Sequence, residues 1–111
     1  MEALEAAKIV QDCLEDKLGQ DVRILDLKGL SNIADCFVIA SGNNVNHLRA
    51  MSDEITRKLS LAGVKLHHSE GYSGATWILL DFGNLLVHLF NKEQRDFYGL
   101  DHVWSDAKDL I

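Results

Sequence analysis

Two rhythms of hydrophobic and polar positions run along the chain. The first is the alternation of strands, clearest in residues 70–90, EGYSGATWILLDFGNLLVHLF. Aromatic and branched side chains dominate two arms, 76–82 and 85–90, and Gly83-Asn84 separates them. This pattern predicts a hairpin with a two-residue turn, and the Gly-Asn order favours type II′ over type I′. The register follows from the turn. Phe82 faces Leu85, Leu80 faces Val87 and Ile78 faces Leu89, all on one wholly apolar side that is expected to be core. The opposite side sets Asp81 against Leu86, Leu79 against His88 and Trp77 against Phe90. Large apolar groups there share a surface with a carboxylate and an imidazole. Two readings stay open: a half-wet binding patch with aromatic anchors, or a covered face on which Asp81 and His88 are satisfied inside. A slip of one residue would exchange the two sides.

The second rhythm is helical. Leu4, Ala7, Val10, Leu14 and Leu18 form a stripe over residues 2–18, with Glu2 and Glu5 at the dipole-favoured start and Gly19 as the expected C-cap. Val45, Leu48, Met51 or Ser52, Ile55, Leu59 and Ala62 form another, capped by Asn43 or Asn44 and ended by Gly63. Between them, 22–28 alternates, with Val22, Ile24 and Asp26 on one side and Arg23, Leu25 and Leu27 on the other. Residues 35–41, DCFVIAS, are nearly continuously apolar, as a central strand covered on both sides requires. A short strand is expected at 64–69, a glycine-bearing loop at 70–75 and a helix at 92–100, where Phe97, Leu100 and Trp104 fall near one face. Residues 103–111 read as helix or frayed tail. The predicted order is helix, strand, strand, helix, three strands, helix. That is an α/β chain of α+β type, with a mixed sheet of about five strands and helices mainly on one face. No proline and no linker-like stretch divides residues 1–111, so one domain is expected.

Composition narrows the function. The chain has 11 basic and 17 acidic residues, a net charge of -6, and no cluster of Lys and Arg. Little direct nucleic-acid contact is expected, because a phosphate footprint needs concentrated positive charge. A basic protein partner suits this charge better. Cys13 and Cys36 lie in apolar patterns and are expected to pack as small hydrophobes rather than form a disulfide. The acidic, amphipathic start is unlike a signal peptide, and no apolar run reaches the ~18 residues of a membrane span. These features predict a cytoplasmic protein.

Candidate chemistry is sparse. Ser41-Gly42-Asn43 joins a strand to a helix, where free N–H groups can hold an anion. It resembles the Gly-Ser turn of nucleotidyltransferases, but the pair of metal-binding carboxylates that follows there is missing, since Asp81 stands alone on its strand and Glu70 lies in a loop. A tight strand-to-helix turn is the preferred reading. His67 and His68 are adjacent, so in a strand they point apart, and His47, His88 and His102 show no ligand spacing. No metal and no cofactor is expected. Arg95 and Tyr98, just after the hairpin, are either part of a solvated helix face or the rim of a patch around Trp77.

Asp35-Cys36-Phe37-Val38-Ile39-Ala40-Ser41-Gly42-Asn43 resembles the DxFVIASGN signature of the ribosomal silencing factor (RsfS, or Iojap) family, and His47 follows at its spacing. Glu70-Gly71 and the run from Trp77 to Phe90 look like its EG…WvLlDyGdvVVHiF block. Arg95, Tyr98, Leu100 and Trp104 fit its R…fYxLexLW ending. The likeness covers about residues 5–107, with Asn84 and Cys36 as mild departures. It implies a nucleotidyltransferase-like fold without the active site. The implied function is translational repression: binding ribosomal protein fourteen of the large subunit, blocking its association with the small subunit, and acting in late large-subunit maturation. A homodimer of the free protein is also implied. The expected contact residues are Trp77, Leu79 and Phe90 at the centre, Asp81 and His88 flanking, and Arg95 and Tyr98 near the edge. A nucleotide-binding enzyme using Ser41, Gly42 and Asp81, and a purely structural homodimer, are the competing classes.

Overall fold

A computed structural model describes residues 1–100 and the backbone of 108–109. The elements are α1 (Ala3–Asp16), β1 (Gln20–Asp26), β2 (Cys36–Gly42), α2 (Val45–Leu61), β3 (His68–Glu70), β4 (Trp77–Asp81), β5 (Leu85–Asn91), α3 (Lys92–Tyr98) and β6 (Lys108–Asp109). The predicted order is borne out. The expectation of helix or frayed tail at 103–111 is corrected at Lys108–Asp109, which pairs antiparallel with Leu25 and Asp26. The rest of that stretch, with His102 and Trp104, lies outside the described residues.

The strands form one sheet in the order β3-β4-β5-β2-β1-β6. Among the described strands only β2 and β5 pair in parallel, and they occupy its centre. This explains the unbroken apolar run of β2: every residue from Cys36 to Gly42 is buried. β3 lies at the edge with all three residues exposed. An exposed edge strand needs no alternation, so the sequence placed it a few residues early, at 64–69.

α1 and α2 cover one face. Their core joins Val10, Leu14, Leu48, Met51, Ile55 and Leu59 to Val38, Ile78, Leu80, Val87 and Leu89 of the sheet. The stripe predicted for α1 is shifted. Leu4 and Leu18 are exposed, whereas Ala3, Ala6, Ala7 and Cys13 are buried. Small residues let α1 lie close to its neighbours and leave the long side chains at the margin. The helix ends at Asp16 and Leu18 takes the left-handed conformation, with φ 59°, expected of Gly19. Cys13 and Cys36 are free thiols in the interior; burial pushes the Cys36 thiol up to about 11.

The hairpin has the predicted register, with Trp77 opposite Phe90, Leu79 opposite His88 and Asp81 opposite Leu86. Gly83 has φ +93°, and Asn84 is not in the positive-φ region, as type II′ requires and type I′ forbids. The Asp81 carboxylate accepts from the Gly83 N–H at 2.8 Å, so Asp81 braces the turn.

Candidate functional site: an aromatic cluster on the second sheet face

The second face carries Leu25, Leu27, Phe37, Ile39, Leu86 and Phe90, with Trp77, Leu79 and Leu100 partly buried against them. Only the short α3 lies over it among the described helices. Asn91 caps α3 by accepting from the Gln94 N–H at 2.8 Å, and Gly99 ends it with φ 59°. Six aromatic side chains gather here. The Trp77 ring stacks on Phe90 at 4.9 Å and meets Tyr98 at 4.5 Å. His88 lies 4.6 Å from Phe37, and Phe97 packs edge-on against Tyr98 at 5.3 Å.

The seven expected contact residues all belong to this face or to α3 beside it, but they occupy two depths. Trp77, Leu79 and Asp81 are half-buried, and Tyr98 is 45% exposed. Phe90, His88 and Arg95 are buried, at 0%, 5% and 9% exposure. Their expected exposure is therefore corrected. Phe90 lies under the Trp77 and Tyr98 rings. His88 sits between Trp77 and Phe37. Arg95 is a strut, not a rim: its Nη1 donates to Ser41 Oγ at 3.0 Å, tying α3 to the end of β2. These three shape the surface from beneath. Phe37 and Phe97 were missed. Phe37 lies in the run read as doubly covered, and Phe97, 80% exposed, was read only as sharing a helix face with Leu100 and Trp104.

The Trp77 indole Nε1 donates to His88 Nδ1 at 3.2 Å. Burial pushes the His88 imidazole down to about 4, because charge is costly away from water. It is neutral at physiological pH.

The Ser41–Asn43 turn serves the fold. The Asn43 N–H donates to His47 Nδ1 at 2.9 Å, and the His47 N–H donates to Asn44 Oδ1 at 2.8 Å. With Nδ1 accepting, the His47 proton resides on Nε2, which donates to the Lys17 carbonyl at 2.7 Å. His47 thus joins the end of α1 to the start of α2 and occupies a donor that an anion would use. His47→Ala is expected to lower stability by about 1 kcal/mol, since water replaces both partners at this exposed turn. A urea titration measures it. Among the described residues no group of three His, Cys, Asp or Glu stands in metal-binding proximity, and no helix is long and apolar enough to cross a membrane.

Comparison with known proteins places this chain and its fold in a family. The family described as "Ribosomal silencing factor during starvation" matches residues 1–110. Ribosomal silencing factor RsfS of Halalkalibacterium halodurans is 35% identical over 103 residues, covering 93% of this chain and 88% of its own length. A crystal structure of a protein from Chromobacterium violaceum superposes with a TM-score of 0.90 at 32% identity, over 94% of this chain and 87% of that one. A more distant mouse relative, Mitochondrial assembly of ribosomal large subunit protein 1, is 27% identical over 95 residues, which are 83% of this chain and 42% of the mouse protein. The chain belongs to the ribosomal silencing factor family.

Proposed function

We propose that this protein represses translation in the cytoplasm without catalysis, by occupying the large ribosomal subunit. The observation that carries the reading is family membership over nearly the whole chain, joined to a half-exposed aromatic cluster on one sheet face. The partner is ribosomal protein fourteen, and the bound factor keeps the small subunit from joining. Trp77, Leu79 and Tyr98 form the contact, with Asp81 beside them and Phe90, His88 and Arg95 supporting them from below. The chain's net charge of -6 suits a basic ribosomal partner and speeds the encounter. A part in late large-subunit maturation agrees with the name of the mouse relative. In the free protein the same apolar face serves a homodimer.

Trp77→Ala is expected to weaken binding to the large subunit by about 2 kcal/mol, roughly thirtyfold, as for a central aromatic anchor. Cosedimentation with purified large subunits measures this, and a melting curve on the same variant reports the fold. Wild-type binding by a folded variant would remove this face from the interface.

A further inference from the structure

Position 88 holds an expensive choice of residue. His88 is buried, and its Nε2 has no hydrogen-bond partner among the described residues. With Nδ1 accepting from the Trp77 indole, the neutral ring carries its proton on that stranded Nε2. A buried donor without an acceptor destabilises a fold. A phenyl ring at this position would keep the aromatic contact with Phe37 and strand nothing. What a phenyl ring cannot supply is the acceptor for the Trp77 N–H. Apart from that bond, the Trp77 side chain is held by ring contacts with Phe90, Tyr98 and His88, and aromatic pairs accept more than one mutual geometry.

We propose that His88 is a positioning residue: through Nδ1 it fixes the orientation of the Trp77 indole on the sheet, so that the docking edge of the ring is set before the partner arrives. The inference rests on the docking reading above and deepens it. Fixing a large anchor in advance removes part of the ordering cost of binding. It also gives a reason for a histidine at a place where packing alone favours a hydrocarbon.

His88→Phe separates positioning from a structural role. The variant is expected to melt at the wild-type temperature or higher, while its affinity for purified large subunits falls about tenfold. Its Trp77 indole N–H resonance, assigned by comparison with Trp77→Phe, is expected to move and to exchange with water at least tenfold faster. His88→Gln, whose side-chain oxygen can accept, should recover part of the binding. Unchanged affinity in a folded His88→Phe variant overturns the proposal. If Trp77→Ala binds as wild type does, the docking reading itself has failed; if only Trp77→Ala is weakened, positioning alone has failed. Should His88→Phe not fold, the unmodified protein decides, because an indole N–H exchanging as fast as free indole is not held by His88.

Discussion

Gly71→Ala is expected to cost at least about 4 kcal/mol, the range reserved for backbone and core disruption. Gly71 has φ +84°, and a Cβ built there falls 2.0 Å from the Trp77 carbonyl oxygen. The left-handed conformation alone costs an alanine roughly 1–2 kcal/mol. The overlap adds more, because the obstacle is backbone at the start of β4 and cannot rotate aside. The loop that Gly71 begins is fastened at several points. The Gly71 carbonyl accepts from the Ala75 N–H at 2.8 Å. The Arg49 guanidinium donates to the carbonyls of Tyr72 and Ser73, and the Tyr72 hydroxyl donates to Asp53 at 3.1 Å. A displaced loop therefore pulls on α2 as well as on the strand that carries Trp77. A fall in melting temperature of roughly 15 °C or more is expected. Gly74→Ala is the control: nothing lies within 4 Å of its added Cβ, and the melting temperature should hardly move. Two variants melting alike would refute this account of the loop.

The second large effect is acid instability traceable to His88. Its imidazole titrates at about 4 in the folded protein, against an ordinary value of 6.5. The unfolded chain therefore binds a proton through this window that the folded protein refuses. Stability from the neutral ring is complete above pH 6.5 and is lost as pH falls toward 4, by on the order of 3 kcal/mol at the lower end. Urea titrations at pH 7, 5.5 and 4.5 on wild type and His88→Phe isolate it, because the other titrating groups are common to both. The gap between the two proteins is expected to widen steadily in favour of the variant as pH falls. A constant gap would mean that the imidazole is charged in the fold or open to water.

How much of this was readable beforehand depends on what kind of contact decided each feature. The hairpin register was readable because alternation and a Gly-Asn turn are local and agree with each other. The α2 cap was readable to within one residue, Asn43 or Asn44, and Asn44 fills it. The α1 stripe was only partly readable. Periodicity marks a face, but whether Leu4 or Ala3 lies at its centre depends on how closely a neighbour approaches. Depth on the aromatic face was least legible. Phe90 and His88 are covered by the Trp77 ring and, for Phe90, by Tyr98, while Arg95 turns inward from α3 to Ser41; no pattern along β5 or α3 marks such tertiary cover. The seven expected residues thus lie on one face or on the helix beside it, in two layers where one was expected.

The central parallel pair has a consequence for biosynthesis. Cys36 of β2 lies beside Leu85 of β5, 49 positions later in the chain (85 - 36 = 49). A ribosome making this protein has extruded α1, β1, β2 and α2 long before the strand that completes the middle of the sheet emerges. Phe90, the floor on which Trp77 rests, is among the last of these residues to leave the exit tunnel. Until then the nascent chain has neither the completed middle of the sheet nor an assembled aromatic surface.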